Sequence, residues 1–226
     1  PSELRLKGRE IWCGDTRVDI LYRDPTLGEL VEMEEEGLDM RPVRFAFREN
    51  RVVSSLAGEV DQKALFELFS YRRFRDLFTA AEREMFRRHI PWTRYLREVR
   101  SDDPSGRDVD LVSFVRRNRE RLILKPNREY GGSGIALGNL LTVVEWERAI
   151  ERGLSTPGGV VAQEAIEFNR DTYPVVNSGR VSFVKRYIVT GVHAGDDESV
   201  LLARMSKEPV VNITRGGAIV GVLVAR

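Results

Sequence analysis

Leu122–Gly138 reads LILKPNREYGGSGIALG. Leu122, Ile123 and Leu124 suit a buried strand. Lys125 follows at once, and Pro126 is expected to end regular pairing because proline has no N–H to donate. Gly131, Gly132 and Gly134, around Ser133, let the backbone turn tightly and come close to a bound anion. Ile135 and Leu137 then return, and Gly138 closes the run. The stretch is expected to be a hairpin with a lysine at its base and a Gly-Gly-Ser-Gly tip, a shape suited to clamping phosphate. It is not a P-loop, because no Gly-Lys-Ser/Thr follows the glycines and no helix opens there. A Rossmann turn would need that helix as well.

The rest of the chain gives this hairpin a setting. Its 226 residues allow one large domain or two small lobes, and 42% hydrophobic residues support a packed core. Lys and Arg number 36 against 35 Asp and Glu, so no overall field draws the protein toward nucleic acid or membrane. The single cysteine, Cys13, excludes an internal disulfide framework and a Cys-based zinc site. With no signal peptide and no apolar run near the length of a membrane span, a cytoplasmic location is expected. The chain begins at Pro1 rather than Met, so further sequence upstream is expected.

Upstream of the hairpin, Arg17–Arg23 is expected to be a strand after a turn at Gly14-Asp15. Arg17 and Asp19, two apart, would then share a face. Either Asp19 lies in solvent on an edge strand, or the pair holds a phosphate and its Mg²⁺. Thr26–Gly37 is an acidic, exposed helix, and Arg44–Ser55 is expected to be a hairpin turning at Glu49-Asn50. Asp61–Arg72 is expected to be helical, with Lys63 in its first turn. A lysine there opposes the helix dipole, so Lys63 either reaches an anion or stays in solvent. Thr79 and Glu82 form a capping box opening a helix to about His89. Pro91-Trp92-Thr93 is a turn or extended segment. Ser101–Gly106, SDDPSG, is the clearest flexible joint and divides the chain into lobes at 1–105 and 106–226. Asp108–Arg121 is expected to be a helix.

Downstream, Thr142 and Glu145 form a second capping box, opening a helix that carries Trp146, Ala149 and Ile150 to Gly153. Val160–Phe168, VVAQEAIEF, is apolar around Gln163, Glu164 and Glu167. Either it is an ordinary half-exposed strand or it passes a ligand, offering a backbone amide and carbonyl to a purine edge. Arg180–Val189 is a strand after a turn at Asn177-Ser178-Gly179, and Ser199–Ser206 is another. Arg204 there, next to apolar residues, calls for an anion or a carboxylate. Val210–Val224 turns at Gly216-Gly217 before a last apolar strand. No Ser/His/Asp or Cys/His nucleophile arrangement is evident, His89 and His193 being far apart in sequence.

A lysine, a second lysine before a glycine-rich hairpin, and a later strand with Gln163-Glu164 together resemble an ATP-grasp nucleotide site. The Arg17–Asp19 pair precedes both lysines, and that order resembles the circularly permuted ATP-grasp proteins of the glutathionylspermidine synthase kind. The similar stretches are TRVDILYRD, DQKALFELFS, IPWT, ILKPNREYGGSGIALG, VVAQEAIE and VVNITRGGAIVGVLV, which span nearly the whole chain. The resemblance implies an α+β fold, two lobes with mostly antiparallel sheets clasping a nucleotide. It implies that Lys63 and Lys125 contact the ATP phosphates and that Gly131, Gly132, Ser133 and Gly134 close over them. Gln163, Glu164, Ala165 and Ile166 would form the adenine hinge, with Glu167 reaching the ribose. Arg17 would face the γ-phosphate, and Asp19, with Glu59 as the nearest later carboxylate, would hold Mg²⁺. Arg204 would bind substrate or phosphate. The family's further Glu-x-Asn metal pair has no counterpart here, since Glu49 and Asn50 are adjacent. The implied activity is ATP-dependent ligation of a carboxylate to an amine through an acylphosphate. The implied partners are small-molecule or peptide acids and amines, with an acceptor-binding module upstream of Pro1. The alternative is a nucleotide-binding module, or the scaffold half of a synthetase, without catalysis.

Overall fold

The computed structural model describes residues 1–56, 60, 62–129, 131–168, 170–195, 197–213 and 216–222. It is a mixed α+β protein whose sheets are almost all antiparallel. The chain divides into two compact units, Pro1–Asp61 and Gln62–Arg226.

In the first unit β1 (Leu4–Lys7), β2 (Glu10–Cys13) and β3 (Thr16–Val18) form an antiparallel meander. A short β4 (Leu21–Tyr22) follows. Helix α1 (Leu27–Glu35) is capped by Thr26, whose hydroxyl accepts from Glu29 N while the Glu29 carboxylate accepts from Thr26 N. Helix α2 (Arg41–Arg48) is followed by β5 (Val52–Val53), which pairs in parallel with β4. One core joins Ile11, Ala46 and Val52; another joins Leu30, Met40 and Val43.

Two expectations change here. The hairpin over Arg44–Ser55 is instead α2 followed by a two-residue strand. Phe45 and Phe47 alternate, but the stripe that decides the element begins earlier: Val43 and Ala46 are buried one helical turn apart, and Pro42 suits a first turn. The strand over Arg17–Arg23 breaks after Val18, so Asp19 lies outside it. The Val18 and Asp19 carbonyls accept from the Arg51 guanidinium.

In the second unit α3 (Leu65–Ser70) leads through a 3₁₀ stretch at Arg72–Leu77 to α4 (Ala80–His89). The Thr79–Glu82 capping box forms with both bonds present. Next come β6 (Thr93–Tyr95), the antiparallel pair β7 (Arg100–Asp102) and β8 (Asp108–Asp110), and α5 (Leu111–Arg117). The opening hairpin is β9 (Leu122–Pro126) and β10 (Ala136–Leu137), with Ala136 opposite Leu124 and Leu137 opposite Ile123. Helix α6 (Val143–Ser155), with the Thr142–Glu145 capping box, leads to β11 (Val160–Glu164). The central sheet runs β10-β9-β11-β6. Trp146, Ala149 and Ile150 of α6 and Leu111 and Val115 of α5 share one core with Leu122, Leu124, Val160 and Ala162 of the sheet. A second sheet runs through β12 (Arg170–Asn177), β13 (Arg180–Ala194), β14 (Ser199–Ser206) and β15 (Ala218–Val220) in sequence order.

The helix expected over Asp61–Arg72 is shorter, and Lys63 lies in the turn before it. Asn127 is the reason: its carbonyl takes Lys63 N at 3.1 Å and its side-chain oxygen takes Ala64 N at 2.8 Å, so these amides are satisfied outside the helix. Asp61, the expected cap, lies outside the described residues. The helix expected from Asp108 starts at Leu111, because Asp108–Asp110 pair with β7 and the Asp110 carboxylate caps Ser113 N. Ser101–Gly106, expected to be a joint, is a tight hairpin inside the second unit. Asp103 closes it, its carboxylate accepting from Ser105 N, Ser105 Oγ, Arg107 N and Arg107 Nε. The strand over Val160–Phe168 ends at Glu164.

Candidate functional site

Lys125 is opposite Val161 across β9 and β11, and Gln163 is two residues further along. Side chains two apart on a strand share a face, so Lys125, Val161 and Gln163 lie on the face opposite the α5–α6 core. Gln163 is opposite Thr93 on β6, which brings Thr93 onto the same face. A chain of hydrogen bonds follows. Lys125 Nζ donates to Gln163 Oε1 at 2.6 Å, Gln163 Nε2 donates to Thr93 Oγ1 at 2.8 Å, and the Thr93 hydroxyl donates to Pro91 O at 2.9 Å. Thr93 and Gln163 are buried. This bonding fixes the orientation of the Gln163 amide, since only its oxygen can accept from an ammonium.

Lys63 comes to the same end of the sheet. Its Nζ donates to Glu129 O at 2.6 Å. Burial lowers the Lys125 pKa below the usual lysine value, and the neighbouring Lys63 charge lowers it further. Two cations thus stand at the base of the glycine-rich tip, each repelling the other, and an anion between them would relieve that repulsion.

The turn that carries Lys63 is held by buried Asn127. Besides its bonds to Lys63 N and Ala64 N, Asn127 N donates to Gly159 O at 2.9 Å and Asn127 Nδ2 donates to Gln62 Oε1 at 2.9 Å. Asn127 therefore positions one lysine while following the other by two residues. It lies in the quoted KPN stretch, where an asparagine after proline reads as an ordinary turn residue, so the sequence alone does not signal this role.

The tip is a close-packed turn. Gly134 has φ +66°, and a Cβ there would lie 2.7 Å from Pro126 Cγ. The loop is tied further along by the Asn212 side-chain amide, which donates to Gly131 O. Ser133 is exposed.

The expected hinge is partly engaged by the fold itself. Glu164 N donates to Trp92 O and Ala165 N to Arg121 O, both at 2.8 Å. The Glu164 carboxylate faces Arg121 at 3.3 Å. Ile166 and Glu167, beyond the strand end, are exposed.

Arg17 and Asp19 belong to the first unit and form an exposed ion pair at 3.3 Å, with Glu10 also 3.7 Å from Arg17. Asp19 no longer shares a strand face with Arg17. Glu59 lies outside the described residues. Arg204 is on β14 opposite Val189 and Ile219, half-buried, with no ion pair among the described residues.

The donor set suits a polyphosphate: two ammonium groups, a glycine-rich turn and exposed loop backbone in one unit. For Mg²⁺ the described residues of the expected set offer Asp19 alone. One carboxylate is compatible with Mg²⁺ only when phosphates and waters complete the shell. No protein-family model and no curated protein matches the chain.

Proposed function

We propose that the chain binds ATP and acts as an ATP-dependent carboxylate–amine ligase of the circularly permuted ATP-grasp kind. The observation that supports this most is the meeting of Lys63 and Lys125 at the base of the Gly131–Gly134 tip, with Lys125 seated against Gln163. Lys63 and Lys125 would hold phosphate oxygens, and the tip would close over them and limit water. Gln163 would orient Lys125. The backbone from Glu164 to Ile166 would face the adenine, with Glu167 near the ribose. Arg204 would meet an acid substrate. Bound ATP supplies the phosphoryl group that activates a carboxylate for attack by an amine. Positioning and charge neutralisation are what the protein contributes.

The test is the affinity of a fluorescent ATP analogue, measured with and without Mg²⁺, on wild type and on Lys125→Ala. Unchanged affinity in the variant removes the site assignment. Release of ADP that depends on an added acid and amine then tests ligation.

A second reading keeps the nucleotide without the chemistry. It is favoured by the distribution of residues: Lys63, Lys125, the glycine tip and the hinge all lie in Gln62–Arg226, whereas Arg17 and Asp19 lie in Pro1–Asp61. Tight analogue binding with no acceptor-dependent ADP release would favour it.

A further inference from the structure

Away from the lysines, the second unit has a cleft of about 370 Å³ between α3, α4 and the β7–β8 turn. That volume falls within the range of small-molecule sites. One wall is aromatic: Phe69 and Phe86 have ring centroids 4.7 Å apart, and Phe78 packs edge-on against Phe86 at 5.0 Å.

The charges of the cleft do not cancel. Three carboxylates line it, those of Asp102, Asp103 and Glu164. Each is paired with a cation that is not part of the wall, namely Arg94, Arg107 and Arg121 respectively. Four arginines also line it. Arg87 is paired with Glu84, and Arg75 has Asp76 at 3.7 Å. The guanidinium groups of the other two, Arg72 and Arg83, have no carboxylate among the described residues, although the Arg72 backbone N–H donates to Asp102 Oδ2 at 3.4 Å. Arg83 is nevertheless held in place, because its Nη1 donates to Phe78 O at 2.5 Å and to Arg75 O at 3.2 Å. Both bonds use one nitrogen, and among the described residues Nε and Nη2 make no hydrogen bond, so they suit an incoming anion. The Arg72 guanidinium makes no hydrogen bond to the described residues. Two uncompensated guanidinium groups beside an aromatic wall suit a ligand with one anionic end and an apolar body.

We propose that this cleft binds a small organic acid, its carboxylate held by Arg72 and Arg83 and its aromatic or branched body against Phe69, Phe78 and Phe86. The proposal needs no nucleotide: neither Lys63 nor Lys125 lines the cleft, and Glu164 is the one expected hinge residue in its wall.

Trp92 lines the cleft, and its indole N–H donates to Asp102 O at 2.9 Å, so its NMR signal is a local reporter. The experiment titrates the full chain with 4-phenylbutyrate and with the neutral 4-phenylbutanamide, by calorimetry and by the indole signals, with Trp92→Phe assigning the reporter. The acid is expected to bind about tenfold or more tightly than the amide. Arg72→Ala, which removes an exposed guanidinium with no ion pair or hydrogen bond among the described residues, should weaken the acid by about tenfold and leave ATP-analogue affinity unchanged. The Trp92 signal should move while those of Trp12 and Trp146 stay. Equal binding of acid and amide, no binding of the acid at about 10 mM, an unchanged Arg72→Ala titration, or a still Trp92 signal would each overturn the proposal.

Discussion

Lys125 Nζ lies 2.6 Å from Gln163 Oε1, although the residue directly opposite Lys125 is Val161. The bond is diagonal across two strands. It works because Gln163 is itself held by Thr93, so a buried amide presents its oxygen to the ammonium instead of turning away. The lysine at the base of the hairpin is therefore positioned by residues 38 and 32 positions away in sequence.

Lys125→Ala should weaken an ATP analogue by about 10- to 100-fold, the loss typical of a charge-assisted contact or two. Lys63→Ala should have a similar effect. The double variant should lose less than the sum of the two, because the lysines act on one anion. Fluorescence titration of the three variants reads this directly.

Thr93→Val removes a hydroxyl that both accepts from Gln163 and donates to Pro91 O. The buried Gln163 amide and the half-buried Pro91 carbonyl each lose a partner, so stability should fall by about 1–3 kcal/mol. The Gln163 amide is then free to turn, and the Lys125 ammonium signal should shift in a lysine-labelled NMR spectrum. Thr93→Ser should restore both. A restored stability with an unrestored Lys125 signal would refute the positioning role of Thr93.

Asp102→Ala leaves Arg94 buried beside Tyr71 and Trp92 without its carboxylate. Stranding a buried charge costs about 3–5 kcal/mol. Urea denaturation should show that loss. Asp108→Ala, at the exposed Arg100–Asp108 pair, should change stability by less than about 1 kcal/mol.

Gly159→Ala should be severe. Gly159 has φ +74°, and a Cβ there would lie 1.8 Å from the Tyr95 hydroxyl. Its carbonyl also receives Asn127 N, so displacement of this turn should loosen the Lys63 clasp as well. The expected result is a lower melting temperature together with weaker analogue binding.

Acid should weaken the β7–β8 turn. Burial raises the Asp103 pKa, but the Ser105 hydroxyl and the Arg107 backbone and side chain outweigh it and hold the carboxyl well below its ordinary range. A group whose folded pKa is lowered contributes stability above its unfolded pKa, near about 4, and loses it as pH falls through the folded value. Asp39, held down to about 2 chiefly by its side-chain hydrogen bond with Arg41, declines over the same range. The informative quantity is the difference between wild type and Asp103→Asn. The variant should melt lower at pH 7 and show a shallower loss between about pH 5 and pH 2.

The local elements were readable in the chain where the signal is local. The Thr79–Glu82 and Thr142–Glu145 capping boxes open the helices they indicate, because both of their bonds lie within one turn. The Leu122–Gly138 hairpin forms for the same kind of reason, its apolar run and its glycines being neighbours. Ser199–Ser206 is a strand from end to end. Elsewhere burial or a side chain's hydrogen bonds, near or far in sequence, override the local pattern. Phe45 and Phe47 alternate like a strand, yet Val43 and Ala46 bury one face of a helix. Asp61–Arg72 has helical spacing, yet Asn127 draws two of its amides into a turn. SDDPSG has the composition of a joint, yet Asp103 gathers its own neighbours into a closed hairpin.

The candidate site divides the same way. By itself the sequence determined that a lysine precedes a glycine-rich turn, since both features are adjacent in the chain. Only the tertiary structure decided that Lys63 shares that place, that Gln163 and Thr93 hold Lys125, and that Asn127 carries the turn between them. Each of these depends on sheet register and on hydrogen bonds that close over tens of residues. Local spacing cannot encode such bonds, because their geometry exists only once the strands have paired.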